Sequence, residues 1–133
     1  MATNANYLLA TIGARARIRF GQLLADLGLA PSHTQILALL WEGIAGSQRE
    51  IAAVLRLNEG RAVGLLDDLE ERGLIRRDVD RDDRRRRVVT LTADGRKMVE
   101  RVRKLGRAAE AETLAPLSEA ERDQLRELLR RLL

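Results

Sequence analysis

The residues with the most distinctive chemistry in this 133-residue chain are arginines concentrated between positions 72 and 87. This stretch holds eight arginines against four aspartates, a surplus as large as the formal net charge of +4 on the whole chain. Such a concentration of positive charge is the electrostatic footprint expected for contact with a phosphate backbone. The alternative is a solvated hairpin tip that contacts nothing.

Catalytic chemistry has little support. His33 is the single histidine, there is no cysteine to share a metal with it, and a histidine at a helix start is more often structural or solvated. Ser32 beside it lacks a recognisable orienting carboxylate. The glycines form no dinucleotide or Walker pattern, and the acidic pairs at 67–68 and 70–71 are interpreted as a solvated helix face. We therefore predict that the chain is not an enzyme and uses no metal or cofactor.

The absence of cysteine excludes a thiol redox switch and a disulfide framework. No apolar run approaches the length that spans a bilayer, and the start of the sequence lacks the order of a secretory signal. We expect no membrane partner and a cytoplasmic location. The length indicates one domain, and aromatic residues at 2% require a core built mainly from Leu, Ile, Val and Ala.

The arginine run lies within a longer segment, residues 47–92, that parses as two short helices followed by two strands. Ser47 is the predicted N-cap of the first helix, in a reciprocal capping box with Glu50. Asn58 is the predicted N-cap of the second helix. Gly73 follows this helix at the position where a residue in the left-handed backbone conformation commonly ends a helix. The second helix carries apolar residues at three-and-four spacing, which predicts a buried stripe of Ala62, Leu65, Leu66 and Leu69.

After Gly73 the hydrophobic period changes from helical to alternating. Residues 74–79 and 88–91 form the predicted arms of a hairpin around an arginine-rich turn, Asp80 to Arg87. A helix-turn-helix followed by a basic hairpin is a winged helix-turn-helix, which usually places its second helix in a DNA major groove. The predicted fold class is therefore mainly α (α+β).

Amphipathic helices are predicted on both sides of this segment. The first spans residues 4–27, and a second, opened by Pro31, leads into the reading segment. On the other side Thr92 caps a helix that Pro116 interrupts. A second capping box, formed by Ser118 and Glu121, begins the last helix.

The flanking helices carry more apolar surface than the reading segment can cover, so we expect a second copy of the chain to cover it. The alternative is a monomeric bundle that covers its own stripes. We predict a single domain over residues 1–133. It consists of a reading head at 31–92 and dimerisation helices at 1–30 and 93–133.

Three motifs carry a family resemblance. LEERGL at Leu69 to Leu74, the D-x-x-D-R-R pattern at Asp80 to Arg85, and LT-x-x-G at Leu91 to Gly95 together resemble the multiple antibiotic resistance regulator (MarR) family. Upstream, GLAPSHTQILALLWEG is similar to the helix that precedes the family's reading head. The resemblance covers most of the chain and is strongest from Leu65 to Arg96. It implies a transcriptional regulator, most often a repressor, that dimerises through its N- and C-terminal helices.

The outward face of the second helix supplies the candidates for reading bases in double-stranded DNA. Helical geometry turns Gly60 and Gly64 outward, with Arg61 and Val63 beside them. The family commonly carries Ser or Thr and a basic residue near these positions, so this chain has glycine where side-chain donors are usual. Arg61 remains the main candidate for a bidentate contact with guanine. Its alternative is a solvated or internally ion-paired arginine.

Backbone contacts are predicted on either side of that helix. Gln48 and Arg49 open the preceding helix, where backbone amides add to the attraction for phosphate. On the wing, the candidates for entering the minor groove are Arg84, Arg85 and Arg86. The resemblance implies that Asp83 is a wing-positioning residue that steadies an arginine through an ion pair.

The resemblance also implies relief of repression by a small, often aromatic or phenolic ligand between the dimer helices and the reading head. Ile12, Phe20 and Trp41 are conceivable lining residues, although each fits a core position better. A competing class is a winged-helix protein-interaction module that does not bind DNA specifically. Its basis is the recognition face, which carries glycines and acids.

Overall fold

The computed structural model describes residues 3–133 and builds them into six helices and one two-stranded antiparallel sheet. The first two residues of the predicted 1–30 segment lie outside the described part. The mainly α fold class with a β-hairpin wing is as predicted. In chain order the elements are α1 (Ala5–Ala25), α2 (Pro31–Glu42), α3 (Gln48–Leu55), α4 (Glu59–Glu71), β1 (Ile75–Val79), β2 (Arg87–Leu91), α5 (Ala93–Thr113) and α6 (Glu119–Arg130).

Side-chain caps begin four helices at the predicted residues. In each, a side-chain oxygen accepts a hydrogen bond from the amide three residues on: Ser47 at 3.2 Å, Asn58 at 2.8 Å, Thr92 at 3.0 Å and Ser118 at 3.2 Å. Glu121 completes the predicted capping box by accepting from the Ser118 amide at 2.9 Å. Glu50 does not complete the other box, because its carboxylate instead accepts from Arg86 Nη2 at 2.7 Å.

Helix ends depend on residues that can adopt positive φ. Gly73 ends α4 with φ of 72°, as predicted. The first helix ends at Ala25, two residues before the predicted boundary, and the chain then turns through Gly28 at φ of 68°. Arg72 donates to the carbonyl oxygens of Leu27 and Gly28 at 2.6 and 2.7 Å, which ties the end of α4 to this turn.

The wing pairs in a regular register from Ile75 opposite Leu91 to Val79 opposite Arg87. One isolated bridge joins Ser47 to Val88, and the Val89 amide donates to the Gly46 carbonyl at 3.0 Å. The segment before α3 thus contacts the wing through a single-residue bridge. It fixes the root of the wing beside the start of α3.

Gly95 explains the glycine of the LT-x-x-G motif. A Cβ atom there would lie 1.9 Å from the backbone oxygen of Leu74, a distance no real contact reaches. The first turn of α5 therefore packs directly against the backbone that enters the wing. Any side chain at this position would force the two elements apart.

The core is aliphatic, as the low aromatic content required. Its largest fully buried side chains are Leu24, Ile36, Leu37, Ile51, Leu66 and Leu69. Leu65 of the predicted stripe is only half-buried. Leu24 of α1 and Val99 of α5 belong to the same cluster as the residues of α2 to α4, so the flanking helices share one core with the reading head. No helix within residues 3–133 combines the length and apolar character needed to cross a membrane.

Candidate nucleic-acid interface

The outer face of α4 has the orientation that its sequence predicted. Gly60, Arg61 and Gly64 are exposed and Val63 is half-buried, while Ala62 faces the core. A Cβ atom at Gly64 would meet nothing within 4 Å, and one at Gly60 would make an ordinary 3.6 Å contact with the Asn58 side chain. Packing within one chain therefore does not require either glycine.

The carboxylates of α4 are not the simple solvated face that we predicted. Asp67 and Glu70 both accept hydrogen bonds from the Arg77 guanidinium, and Asp68 contacts His33. The helix carries five carboxylates and one arginine. Three of those carboxylates are thus engaged with neighbouring elements rather than with solvent alone.

His33 has a structural position between two helices. Its Nδ1 accepts from the Ala30 amide at 3.0 Å, so it acts as the cap of α2, and its Nε2 lies 3.2 Å from Asp68 Oδ2. The expectation that Ser32-His33 lacks an orienting carboxylate was wrong, because Asp68 reaches it from 35 residues along the chain. One ring nitrogen thus contacts the start of α2 and the other links α2 to α4.

Arg86 holds the wing against α3. Its Nη1 lies 3.0 Å from Asp80 Oδ2 and its Nη2 lies 2.7 Å from Glu50 Oε1. The Arg86 hydrogen bond is the main reason that the pKa of Glu50 lies below its ordinary value. The pKa of Asp80 is also lowered, first by the Asp82 amide and then by Arg86. The Arg86 side chain therefore supports the wing, and its contact with the minor groove stays a prediction.

Arg84 and Arg85 are exposed, and neither has an ion-pair partner within residues 3–133. Asp83 shapes the turn that presents them, since its Oδ1 accepts from the Arg85 amide at 3.0 Å and its carbonyl accepts from the Arg86 amide. The ion pair implied for Asp83 is replaced by these backbone contacts. Asp83 thus positions the wing tip through the main chain.

Arg81 was not singled out from the sequence. With Arg84 and Arg87 it lines a shallow cavity of about 550 Å³ at the wing, together with Val79 and Asp80. The sequence did indicate these residues as a group, because all three arginines belong to the arginine-rich run at 72–87. What the sequence lacked was any sign of which members of the run are held by carboxylates and which are not.

The start of α3 lies beside the same wing. Arg77 Nη1 donates to Gln48 Oε1 at 3.4 Å, which leaves the amide nitrogen of Gln48 as a donor. Arg49 is exposed. One guanidinium therefore joins Gln48 of α3, the carboxylates of Asp67 and Glu70 on α4, and strand β1.

A second surface is apolar and is formed by the flanking helices. The groove between α1, α5 and α6 has a volume of about 650 Å³ and is lined by Ile12, Phe20 and Leu129, among others. Ile12 is 49% exposed, so its interpretation as a core residue was wrong. Phe20 packs partly against the core. Trp41 does not line this groove. It lies near the guanidinium groups of Arg96 and Arg103, which are 6.0 and 5.7 Å from its ring centroid.

Together, a helix-turn-helix, a wing docked on it and unpaired wing arginines define a winged-helix protein of the transcription-regulator class. The family model described as "MarR family" matches residues 29–86, which span α2 to the wing tip. Residues 29–86 therefore carry the helix-turn-helix and wing of the MarR family, as the motifs indicated.

Three known proteins illustrate the similarity. The HTH-type transcriptional regulator BilQ of Clostridium symbiosum (strain WAL-14163) is 37% identical over 86 residues, covering 65% of this chain and only 60% of that protein. The HTH-type transcriptional repressor Mb2911 of Mycobacterium bovis is 29% identical over 126 residues, covering 95% and 91%. The crystal structure of CouR from Rhodococcus jostii RHA1 bound to p-coumaroyl-CoA has a TM-score of 0.76 and 29% identity, covering 98% and 92%.

The relatives carry the names of transcriptional regulators and not of enzymes. These names agree with the prediction that the chain is not an enzyme. The ring of His33 and the carboxylates held by Arg77 serve the packing of helices and wing.

Proposed function

We propose that this protein is a homodimeric repressor that binds specific double-stranded DNA and releases it when a small ligand binds. The observation that carries the proposal is the docked wing. Arg86 binds Glu50 of α3, while Arg84 and Arg85 project from the same turn with no acidic partner in the described chain. Free cations on a fixed support suit a phosphate backbone or a minor groove.

Each contact residue has a proposed role. In α4, which enters the major groove, Arg61 reads guanine, and Gly60, Val63 and Gly64 allow the helix backbone to approach the bases. Gln48 and Arg49 at the start of α3 meet phosphates. Arg84 and Arg85 reach the minor groove or its phosphates, while Asp83 and Arg86 position the wing. The open space around Gly64 supports this assignment, because it leaves the helix backbone accessible to an external partner.

The proposed dimer rests on unpartnered apolar side chains at both ends of the chain. On α1 these are Leu8, Leu9 and Ile12, and on α6 they are Leu128 and Leu129, all at least 39% exposed. Exposed leucines at this density are unusual for a monomer and mark an interaction surface. A second copy that lays its own end helices along the groove would bury both sets through a symmetric contact.

Repression and its relief are proposed from the relatives. The Mycobacterium bovis relative is named a repressor, and the CouR structure holds an aromatic acyl-CoA. We propose a small aromatic or phenolic effector for this chain, bound where the partner's helices close the apolar groove. Release of DNA on titration with a panel of phenols and aromatic acids tests this assignment.

A protein-docking module is the second candidate, favoured by the five carboxylates and two glycines of α4. Binding to random duplex DNA at 50 and 200 mM salt separates the two functions. A DNA-binding protein loses affinity steeply between these conditions because bound counterions are released. A chain that shows no duplex binding at 50 mM salt contradicts the proposed function and favours the docking module.

Arg61→Ala tests whether α4 reads sequence. The operator is first selected from random sequences. We then expect Arg61→Ala to lose roughly 1–3 kcal/mol of binding free energy per half-site on this operator and much less on random duplex. Equal losses on both would reduce Arg61 to a phosphate contact. Gly64→Arg is the companion variant, since a Cβ atom at this position meets nothing within 4 Å in the free chain. If it abolishes operator binding while the protein stays folded, Gly64 is a close-approach position.

A further inference from the structure

Arg77 lies on β1 and joins the wing to both helices of the helix-turn-helix. Its Nη2 contacts Asp67 Oδ1 and lies 2.9 Å from Glu70 Oε1, and its Nη1 reaches Gln48 Oε1. The backbone amide of Arg77 also donates to Glu70 Oε2 at 3.0 Å. Only 18% of its side chain is exposed, in contrast to 70% for Arg76 next to it.

We propose that Arg77 is a positioning residue for DNA binding that offsets one of the two negative charges of Asp67 and Glu70 on the recognition helix. The inference rests on the proposed function. In this inference Arg77 of β1 reduces the electrostatic repulsion between the acidic helix α4 and the DNA phosphates. Arg77 touches no base in this proposal and acts only through its neighbours.

The charge balance of α4 supports the proposal. The helix holds five carboxylates and one arginine, an unfavourable balance for an element that enters a groove lined by phosphates. Asp67 lies one helical turn beyond Gly64 on the outward side. Without a nearby cation, Asp67 and Glu70 would both repel the duplex across a distance shorter than the Debye length of about 10 Å at 0.1 M salt.

The geometry of Arg77 matches this task. A guanidinium group can satisfy several acceptors in one plane, and here its two terminal nitrogens contact three different side chains. The Glu70 hydrogen bond is the main cause that raises the pKa of Arg77, and the Arg77 hydrogen bond lowers the pKa of Glu70. Arg77 and Glu70 thus stabilise each other in their charged forms, and the same guanidinium also contacts Asp67.

A purely mechanical role predicts different behaviour. If Arg77 only held β1 against α4, its loss would loosen the wing, and neutral residues at 67 and 70 would not restore DNA binding. If it offsets charge, removal of the two carboxylates compensates for its loss. The decisive comparison is therefore between Arg77→Met and the triple variant Arg77→Met/Asp67→Asn/Glu70→Gln.

Fluorescence anisotropy on a random duplex at 50 and 200 mM salt measures the effect. We expect Arg77→Met to weaken binding about tenfold at 50 mM and less at 200 mM, because salt screens the unmasked carboxylates. The triple variant is neutral at these three positions, where wild type keeps one net negative charge, so it should bind at least as tightly as wild type. Arg76→Met is the matched control. It removes an equal charge from the neighbouring residue, whose side-chain ion pair is with Asp78 alone, and should change binding by no more than about threefold.

The outcomes separate cleanly. A triple variant as weak as Arg77→Met, or an Arg77→Met protein that binds like wild type, overturns the inference and leaves the proposed function intact. A wild-type protein that binds no duplex overturns both. If Arg77→Met does not fold, the double variant Asp67→Asn/Glu70→Gln, which keeps Arg77, tests the inference instead. The inference requires tighter binding from this variant, and unchanged affinity contradicts it.

Discussion

Arg84 and Arg86 are two residues apart in the wing, yet their replacement by alanine should weaken DNA binding in different ways. Arg84 has no acidic partner among the described residues, whereas Arg86 is bound by Glu50 and Asp80. We therefore expect Arg84→Ala to remove a DNA contact and Arg86→Ala to loosen the wing. The two effects can be measured separately, by the salt dependence of binding and by hydrogen exchange.

The expected size of the Arg84 effect follows from counterion release. Each phosphate contact contributes about 0.9 to the slope of log K against log salt. Raising the salt from 50 to 200 mM lowers the affinity of wild type and variant alike. For a variant that has lost one phosphate contact, this loss of affinity is about 3.5-fold smaller than for wild type, and for a dimer that has lost two contacts it is about twelvefold smaller. Arg84→Ala should produce this flattening on operator and random duplex alike, with no change in amide exchange at Val88 and Val89.

Arg86→Ala should instead speed amide exchange in β2. Its removal leaves Asp80, whose side chain is only 17% exposed, and Glu50 without their shared cation. Arg130→Ala is the control, because that exposed arginine lies on α6 and its ion pair is with Glu127 alone. The reasoning fails if Arg84→Ala keeps the wild-type slope. It also fails if Arg86→Ala leaves exchange unchanged while flattening the slope as Arg84→Ala does.

Two further predictions concern assembly and pH. Removal of residues 118–133 should give poorly soluble or unfolded protein because it exposes the apolar groove between α1 and α5, and a soluble folded monomer in size-exclusion chromatography would contradict the dimer. The wing should loosen in acid, because the pKa values of Glu50 and Asp80 are lowered in the folded protein. The contribution of these two carboxylates to stability is complete above their ordinary pKa values of 4.5 and 3.8. It is lost as the pH falls through their lowered pKa values. Amide exchange of β2, corrected for its intrinsic pH dependence, should therefore accelerate below pH 4.5 relative to the same measurement on α5, and a constant ratio would count against the ion pairs as the support of the wing.

Elements set by neighbouring residues could be predicted because their physics is local. Ser47, Asn58 and Thr92 begin helices at the expected positions, since a cap joins atoms only three residues apart. The hairpin arms followed from alternation of apolar residues, and the left-handed end of α4 followed from Gly73. The basic character of the wing needed only the count of arginines and aspartates in one run.

The sequence by itself determined the family, the winged helix-turn-helix and the surplus of positive charge on the wing. Only the tertiary structure decided which charges are free. Arg86 meets Glu50 across 36 residues and His33 meets Asp68 across 35, and a run of eight arginines carries no local sign of these partners. Packing of β1 against α4 likewise brings Arg77 to Asp67 and Glu70, whereas Arg84 and Arg85 have no carboxylate partner within residues 3–133. The physical reason is that an ion pair depends on distance in space, which the fold sets, and not on separation along the chain.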